Sequence, residues 1–230
     1  MELNKRQKGI LQEVNSEGEI KVSELSKKLF FSEMTIRRDL ALMEKEGLLK
    51  RVHGGAIANT SDFQYPVTYR ENINKDQKKT LADRAIKYLK DNQVIFFNSS
   101  STLAFLLPYL SKYQNLLVIT NSVYLLSYLE KMHIPCMLTG GRYNEIEKCL
   151  LGRQTEEFLG EINPDIAFLS CEALSSDGRA TDSDEDLARI TKIAVQKSKV
   201  SILLMDQSKV GVVRTYDVCN ADRFSDVIVL

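Results

Sequence analysis

Apolar residues recur at helical spacing three times within the first fifty residues. The third stripe runs from Ile36 to Met43; Ser32 before it suits the start of a helix, and Gly47 after it suits the end. A short extended piece, 19–21, separates the first two stripes, and a tight turn separates the second from the third. This order predicts a helix, a short strand and two further helices packed on one small core.

The helix that follows Ser32 turns a small, basic face away from its apolar stripe. At about 100° per residue, Met34 and Arg38 lie opposite the stripe, with Thr35 and Arg37 on the flanks. Two short helices joined by a tight turn, the second exposing its amino-terminal end, form the helix-turn-helix arrangement that enters the DNA major groove. Such a face predicts DNA contact; a solvated basic face and a protein-binding face are the alternatives.

A basic ribbon follows this helix. Residues 48–56, "LLKRVHGGA", mix apolar and basic positions before a glycine pair and predict a β-ribbon that turns at Gly54–Gly55, a wing. Basic side chains on a wing would contact phosphates or the minor groove. The predicted DNA contacts are Lys21, Ser32, Met34, Thr35, Arg37, Arg38, Lys50, Arg51, His53 and Gly54.

A different pattern begins beyond a linker predicted over 58–74, which lacks periodicity and contains Pro66. There an amphipathic helix over Lys75–Lys90 precedes alternating apolar runs and helical stretches. The predicted strands are Val94–Phe97, Leu116–Thr120, Ile134–Leu138, Ile166–Leu169, Val200–Leu204 and Val227–Leu230. Short strands separated by helices predict a mostly parallel sheet covered on both faces. We therefore expect a winged helix-turn-helix domain at 1–57 and an α/β domain at 75–230.

Polar loops follow five of these strands: "NSSST" (98–102), "TNS" (120–122), "TGGR" (139–142), "SCEA" (170–173) and "MDQSK" (205–209). In open α/β sheets, ligands bind outside the carboxyl ends of the strands, where hydroxyls, glycine amides and helix amino termini can hold a phosphate. An N-cap role explains any single serine as well. The predicted ligand contacts are Asn98, Ser99, Ser100, Ser101, Thr102, Thr120, Asn121, Ser122, Gly140, Gly141, Arg142, Glu172 and Lys209.

The composition excludes several classes of protein but does not indicate what this protein binds. Basic and acidic residues number 31 each, and residues 1–57 carry eleven basic against nine acidic side chains. The four cysteines show no C-x-x-C spacing, the two histidines lie far apart, and G-x-G-x-x-G and P-loop patterns are absent. The polar start and the lack of a long apolar run argue against secretion and membrane insertion. We expect a reduced, cytoplasmic protein without metal or cofactor.

The segment "SEMTIRRDLALMEKEGLLKRVHGGA" (32–56) resembles the winged helix-turn-helix signature of the DeoR family of bacterial transcriptional regulators. Sensor-domain motifs of that family also recur as "VITNS", "DIAFLSCEAL" and "DQSKVG". The resemblance implies a sensor domain similar to ribose-5-phosphate isomerase. It further implies a homodimeric or homotetrameric repressor of a carbohydrate operon, bound to double-stranded operator DNA and released by a phosphorylated sugar. Family members usually continue past the final "VIVL", so we expect a closing segment after Leu230.

The chain departs from the family pattern at the proposed pocket. Asn98 stands where the family has aspartate, Thr191 stands where a lysine is expected, and two glycines of "DIAFLSCEAL" are replaced. An isomerase needs a positioned carboxylate as a base, and an amide cannot serve as one. Glu172 and Asp206 remain at strand ends, and ligand binding is the simpler role for them. We therefore expect a regulator and keep an isomerase as the alternative.

Overall fold

The computed structural model describes residues 3–58 and 65–230, which divide into two compact units, one ending at Asn72 and one beginning at Ile73. The elements of the first unit are α1 (Lys5–Glu17), β1 (Glu19–Lys21), α2 (Val22–Leu29), α3 (Glu33–Lys45), β2 (Leu49–Val52), β3 (Gly55–Ala58) and α4 (Val67–Arg70). Its antiparallel sheet has the order β1-β3-β2, so that β2 and β3 form a hairpin beside β1. This is the predicted winged helix-turn-helix.

The small core of the first unit explains where its helices begin and end. Ile36, Leu40 and Met43 are buried, as the helical spacing predicts, and pack with apolar residues of α1, α2 and the sheet. The side chain of Asn4 caps α1 by accepting a hydrogen bond from the Gln7 amide. A glycine in a left-handed conformation ends α1, because a residue with a β-carbon is strained there.

Part of the segment predicted as a linker, 58–74, has regular structure. Val67–Arg70 forms a helix that begins after Pro66, and Tyr65 and Tyr69 pack against the core of the first unit with ring centroids 5.1 Å apart. A four-residue helix is too short to show a helical period, which is why the sequence pattern missed it. Residues 59–64 of the predicted linker lie outside the described residues.

The second unit is an α/β domain. Its elements are α5 (Lys75–Ala85), β4 (Val94–Phe97), α6 (Leu107–Leu110), β5 (Leu117–Thr120), α7 (Val123–Lys131), β6 (Cys136–Leu138), β7 (Arg142–Asn144), β8 (Cys149–Leu151), α8 (Arg153–Glu161), β9 (Ile166–Leu169), β10 (Ala173–Leu174), β11 (Arg179–Asp182), α9 (Glu185–Lys197), β12 (Val200–Met205), β13 (Tyr216–Asn220) and β14 (Asp226–Val229). The helix predicted over Lys75–Lys90 is α5 followed by a 3-10 turn at Ile86–Tyr88.

Six parallel strands form the main sheet in the order β14-β12-β9-β4-β5-β6. They are the six apolar runs predicted as strands. Every residue of β9 is buried, which requires helices on both faces of the sheet. From β4 the chain proceeds to β5 and β6 on one side and returns as β9 on the other. The ends of β4 and β9 therefore mark a topological switch point.

Five short strands that the sequence pattern did not predict flank the sheet. β7 and β8 form a hairpin, and β10, β11 and β13 form a small antiparallel sheet. Most of them have two to four residues, which is too few to show a period of two. As a result, parts of two predicted polar loops, Arg142 and Ala173, lie within strands.

Candidate functional sites

The first turn of α3 presents the side chains predicted to read bases. Ser32 Oγ accepts a hydrogen bond from the Thr35 amide at 3.3 Å and lies 2.9 Å from Thr35 Oγ1, so that the helix begins where predicted. Met34, Arg37 and Arg38 are exposed, and Thr35 is half-buried. Met34, Arg37 and Arg38 can therefore contact a ligand without any change in the core.

An ion pair between the buried Asp39 and the partly exposed Arg6 holds α3 against α1. The side chain of Asp39 is buried and accepts hydrogen bonds from Arg6 Nε at 2.5 Å, Arg6 Nη2 at 3.2 Å and Gln7 Nε2 at 3.1 Å. The Arg6 guanidinium also lies 5.0 Å from the centre of the Phe31 ring. Sequence reasoning missed this network, because Asp39 reads as one of many charged helix residues until its partners are known.

The hairpin of β2 and β3 forms the wing. Its two-residue turn is His53–Gly54, one residue earlier than the predicted Gly54–Gly55. Gly55 is needed for a different reason: a β-carbon there would lie 2.4 Å from the Ile20 carbonyl oxygen. The predicted wing contacts are all exposed: Lys50, Arg51, His53 and Gly54.

The wing and α3 share a surface depression of about 380 Å³. It is lined by Val22, Arg37, Leu40, Arg51, Val52, His53, Gly54 and Gly55. Two guanidinium groups and an imidazole thus border one concave surface. Lys21 is also exposed and lies at the rim, since it pairs with Gly55 in the sheet. An anion such as a DNA phosphate suits this arrangement.

Acidic side chains accompany both arginines of the depression. Arg37 Nη2 lies 3.2 Å from Glu33 Oε2, one helical turn earlier, and Arg51 Nη1 lies 3.9 Å from Glu44 Oε2. Glu44 Oε1 also accepts a hydrogen bond from the Arg51 amide at 2.8 Å. Both ion pairs are exposed, so that a stronger anionic ligand can replace the carboxylates at small cost.

In the second unit, Asn98 bridges the switch point. Its Nδ2 donates to the Ser170 carbonyl oxygen at 2.7 Å and to Thr191 Oγ1 at 3.0 Å, and its Oδ1 accepts from the Ser170 amide at 3.1 Å. The loops that follow β4 and β9 are therefore joined, as the sheet order requires. The Asn98 side chain is buried, and both of its polar atoms are used within the protein.

Two lysines reach the same loops. Lys78 Nζ, from α5, donates to Ser101 Oγ at 3.0 Å, and both residues are buried. Lys209 Nζ donates to Ser170 Oγ at 3.3 Å and to the Cys171 carbonyl oxygen at 2.9 Å. Lys78 was not among the predicted contacts, although it lies on the inward face of α5 with Leu81. A lysine on the apolar face of a helix was the signal available in the sequence.

The remaining hydroxyls of the loop after β4 connect it to its neighbours. Ser99 Oγ donates to Ser122 Oγ at 3.3 Å and to the Glu147 carbonyl oxygen at 3.0 Å, and Ser100 Oγ accepts from the Thr102 amide at 3.1 Å. The N-cap alternative applies to Ser122, which caps α7. It does not apply to Ser101, because no helix is capped by that side chain.

Several predicted contacts are engaged elsewhere in the fold. Asn121 Nδ2 donates to the Leu150 carbonyl oxygen at 3.1 Å, and the Gly140 carbonyl oxygen accepts from Thr155 Oγ1 at 2.6 Å. Thr120 Oγ1 donates to a carbonyl oxygen of β4. A β-carbon at Gly141 would lie 2.5 Å from Thr155 Oγ1, so this glycine is required by packing.

Charged groups surround the end of β11. Arg142 Nη2 lies 3.0 Å from Asp186 Oδ2, and Glu172 lies 2.6 Å from Arg214 Nε. Burial, together with the nearby charge of Glu172, raises the pKa of Asp182 to about 7, and Lys209 acts in the opposite direction. Since Lys209 bonds to the loop after β9, these carboxylates lie near the polar loops.

The comparisons with known proteins match both units of the chain. The DeoR-like helix-turn-helix domain matches residues 6–62, and the DeoR C terminal sensor domain matches residues 73–229. The chain belongs to the DeoR family. It is a DNA-binding transcriptional regulator with a sensor domain.

Relatives in this family match most of the chain. The HTH-type transcriptional regulator GlpR of Haloferax volcanii is 34% identical over 90% of this chain and 81% of its own. The L-fucose operon activator of Haemophilus influenzae is 33% identical over 90% of this chain and 84% of its own. The lactose phosphotransferase system repressor of Staphylococcus epidermidis is 31% identical over 86% of this chain and 80% of its own. A solved D-ribose-5-phosphate isomerase in complex with phospho-erythronic acid aligns with 59% of this chain and 54% of its own, at a TM-score of 0.45 and 17% identity.

Two departures from the DeoR pattern lie in contact. Asn98 and Thr191, which replace an aspartate and a lysine of the family pattern, are joined by a 3.0 Å hydrogen bond. Thr191 Oγ1 in turn donates to the Leu187 carbonyl oxygen at 3.0 Å. Neither side chain of this pair carries a charge, and one contact joins the two departures.

Two features are absent from the residues that the structure describes, 3–58 and 65–230. Within these ranges, no helix combines the length and apolar character that a membrane crossing needs. The same residues hold no cluster of three histidine, cysteine, aspartate or glutamate side chains placed for a metal ion.

Proposed function

We propose that this DeoR-family chain is a repressor that holds its operator with α3 and the wing and releases it when a phosphorylated sugar binds at the strand ends of the second unit. Its relatives carry the names of both a repressor and an activator of sugar operons. Repression relieved by a metabolite is the simplest scheme for a protein that joins a DNA-binding unit to a sensor. The proposal requires a cytoplasmic protein.

On the DNA side, the proposal divides the exposed residues between two tasks. Arg37 and Arg38, on the first turns of α3, would read base edges, since arginine pairs with guanine in two hydrogen bonds. Arg51 and the other basic residues near the wing would contact phosphates, which adds affinity without sequence information. The depression shared by Arg37 and Arg51 supports a backbone that passes between α3 and the wing.

On the sensor side, one observation carries the proposal. Lys78 and Lys209 place two ammonium groups within hydrogen-bond distance of hydroxyls in the loops after β4 and β9. A phosphate that displaced either hydroxyl would find a lysine and neighbouring loop amides in place. Ser99 and Ser100 lie in the same loop as Ser101 and would add donors for the phosphate or the sugar.

The proposed coupling needs two or four subunits. A dimer would place two recognition helices at half-sites related by its symmetry. Effector binding that favours a different placement of those helices would weaken DNA binding. Such coupling is typically about 1–3 kcal/mol, which corresponds to a several-fold to hundred-fold change in affinity.

An isomerase is the weaker alternative. The family-type base would be a carboxylate in the loop after β4, where this chain has Asn98 with both polar atoms of its amide hydrogen-bonded. Glu172, which remains at a strand end, is paired with Arg214. We therefore propose that the chain senses its ligand without converting it. Turnover of any aldose phosphate or ketose phosphate by the purified chain would overturn this part.

The full proposal is tested with DNA selected by the chain itself. A duplex enriched from a random pool is measured by fluorescence anisotropy at about 50 mM and about 200 mM salt, with and without a panel of sugar phosphates. We expect a sequence-specific complex that salt weakens, and one phosphorylated sugar that releases it while its unphosphorylated form does not. If the chain shows no sequence-specific binding at either salt concentration, the proposed DNA binding is wrong. If no sugar phosphate changes its affinity for the duplex, the proposed effector is wrong.

A further inference from the structure

Two large apolar side chains lie in water at the corner between α2 and α3. Phe30 is 91% exposed and Met34 is 75% exposed, the two highest values among the large apolar residues that the structure describes as exposed. The stripe on the opposite side of α3 is fully buried, so the core of the first unit is complete without them. Exposed apolar side chains grouped at one place commonly mark a contact surface.

The backbone of the turn keeps Phe30 in water. Phe30 ends α2 in a left-handed conformation with φ of 59°, and its amide donates to the Ser26 carbonyl oxygen. The next residue, Phe31, also donates its amide to that oxygen, at 3.2 Å, and its carbonyl oxygen accepts from Ser26 Oγ at 2.6 Å. Phe31 is held further by the guanidinium of Arg6, 5.0 Å from its ring centre. These bonds hold the turn in the backbone conformation in which the Phe30 side chain is exposed.

Phe30 and Met34 adjoin the basic face of α3. Phe30 lies two residues before the cap of α3, and Met34 lies one helical turn before Arg38, on the same face. In the major groove only thymine presents a methyl group, and phenylalanine is among the side chains that contact it. We propose that Phe30 and Met34 contact thymine methyl groups beside the bases read by Arg37 and Arg38. This inference rests on the proposed DNA-binding role of α3.

DNA fits this surface better than a second copy of the chain. In a symmetric dimer formed through this corner, the same patch would lie on both sides, and Arg37 and Arg38 of the two copies would meet. Like charges that face each other across an interface oppose association. A DNA groove offers phosphates to the arginines and methyl groups to the apolar pair, so that it satisfies both halves of the surface.

The test replaces thymine by deoxyuridine, which removes only the methyl group. In the selected duplex, each thymine is replaced in turn, and the affinity of the full chain is measured by anisotropy. We expect one or two positions in each half-site to weaken binding about fourfold per methyl group. Phe30→Asn, which suits a left-handed conformation, should weaken binding to the thymine duplex about five- to tenfold and abolish the difference between thymine and deoxyuridine at one position.

Matched controls separate this contact from other effects. Leu42, a half-exposed apolar residue two turns further along α3, provides Leu42→Gln, which should leave both affinities unchanged. A Phe30→Asn variant that keeps the penalty for deoxyuridine at every position, or a wild-type chain insensitive to deoxyuridine, would overturn the inference while leaving specific DNA binding intact. A change in oligomer mass with an unchanged penalty would assign the patch to self-association instead. Absence of any specific complex would overturn the proposed function and this inference with it.

Discussion

The two candidate sites use polar side chains in opposite ways. On the outer face of α3 and on the wing, the charged groups remain in water and pair with near neighbours, as Arg37 does with Glu33 one turn away. At the strand ends of the second unit, the polar groups are buried and bonded across long stretches of chain. Asn98 is joined to Ser170 and Thr191, which lie 72 and 93 residues further along the sequence.

This difference predicts that substitutions at the two sites change different properties. Substitutions at exposed residues change ligand binding, and substitutions at buried residues change the stability of the fold. An exposed arginine has few partners to lose, so that its removal should affect a ligand far more than the fold. A buried amide or carboxylate has partners that cannot turn to water, and its removal leaves them unsatisfied. Two substitutions test this difference most directly: one at Asp39, the buried charge behind the exposed face of α3, and one at Lys78, the buried lysine beside the loop after β4.

The largest effect is expected at Asp39, the buried carboxylate beneath the exposed face of α3. Asp39→Ala leaves Arg6 and Gln7 without their acceptor, and we expect a loss of about 3 kcal/mol in the free energy of unfolding of the first unit. Urea unfolding followed by circular dichroism and by hydrogen exchange of α1 and α3 measures it. Arg37→Ala is the exposed control and should change stability by less than about 0.5 kcal/mol. Equal losses for the two variants would contradict this difference.

The second effect is expected at Lys78. Lys78→Met keeps most of the volume in α5 and removes the ammonium group, so that a bound phosphate would lose a charged hydrogen bond of about 1.5–3 kcal/mol. We expect the releasing sugar phosphate to bind roughly ten- to a hundred-fold more weakly, with operator affinity unchanged in its absence. Titration calorimetry measures this. Lys79→Met, on the exposed side of the same helix, is the control, and equal weakening by both variants would refute a specific role for Lys78.

The third effect concerns Asp182, whose pKa is raised to about 7 by burial and by Glu172. Because an aspartate in the unfolded chain titrates near pH 3.9, the folded state holds the proton more tightly, and stability falls as the pH rises from about 4 to about 7. Asp182→Asn removes this titration, and we expect it to gain about 1–2 kcal/mol relative to wild type between pH 5 and pH 8.

Urea unfolding at the two pH values measures the effect. Asp177 is the matched control, since hydrogen bonds from Ser175 and Arg179 lower the pKa of its exposed carboxyl group. The Asp177 carboxyl group is therefore ionised at both pH values, and Asp177→Asn should show no change relative to wild type between pH 5 and pH 8. An equal gain for both variants would show that the environment of Asp182 is not the cause.

The same difference explains what the sequence could predict. The face of α3 follows from helical spacing alone, so that Met34, Arg37 and Arg38 were predicted to be exposed and are. The six sheet strands were predicted because each is a short apolar run between helices. These are local patterns, and no distant residue is needed to recognise them.

The buried polar contacts of both units could not be predicted, because their partners lie far apart in the sequence. Nothing near Asp39 in the sequence marks Arg6 as its partner, 33 residues earlier. Lys78 could be recognised as inward-facing, but its contact with Ser101 follows only from the packing of α5 on the loop after β4. The contact between Asn98 and Thr191, 93 residues apart, likewise follows only from the fold.

The smallest effect is expected at Glu33, within the exposed pair on the first turn of α3. Glu33→Gln removes the carboxylate that lies 3.2 Å from Arg37 and one negative charge from the surface that we propose binds DNA. We expect affinity for random-sequence DNA to rise about two- to fivefold at low salt, with the gain lost at high salt, because exposed pairs contribute less than about 1 kcal/mol and are screened. Glu157→Gln breaks an equivalent pair with Arg153 in the second unit and should leave DNA affinity unchanged. If Glu33→Gln instead lowers affinity for the selected duplex alone, Glu33 contacts a base directly. Glu33 then contributes to sequence recognition, and its role is not limited to competing with phosphates for Arg37.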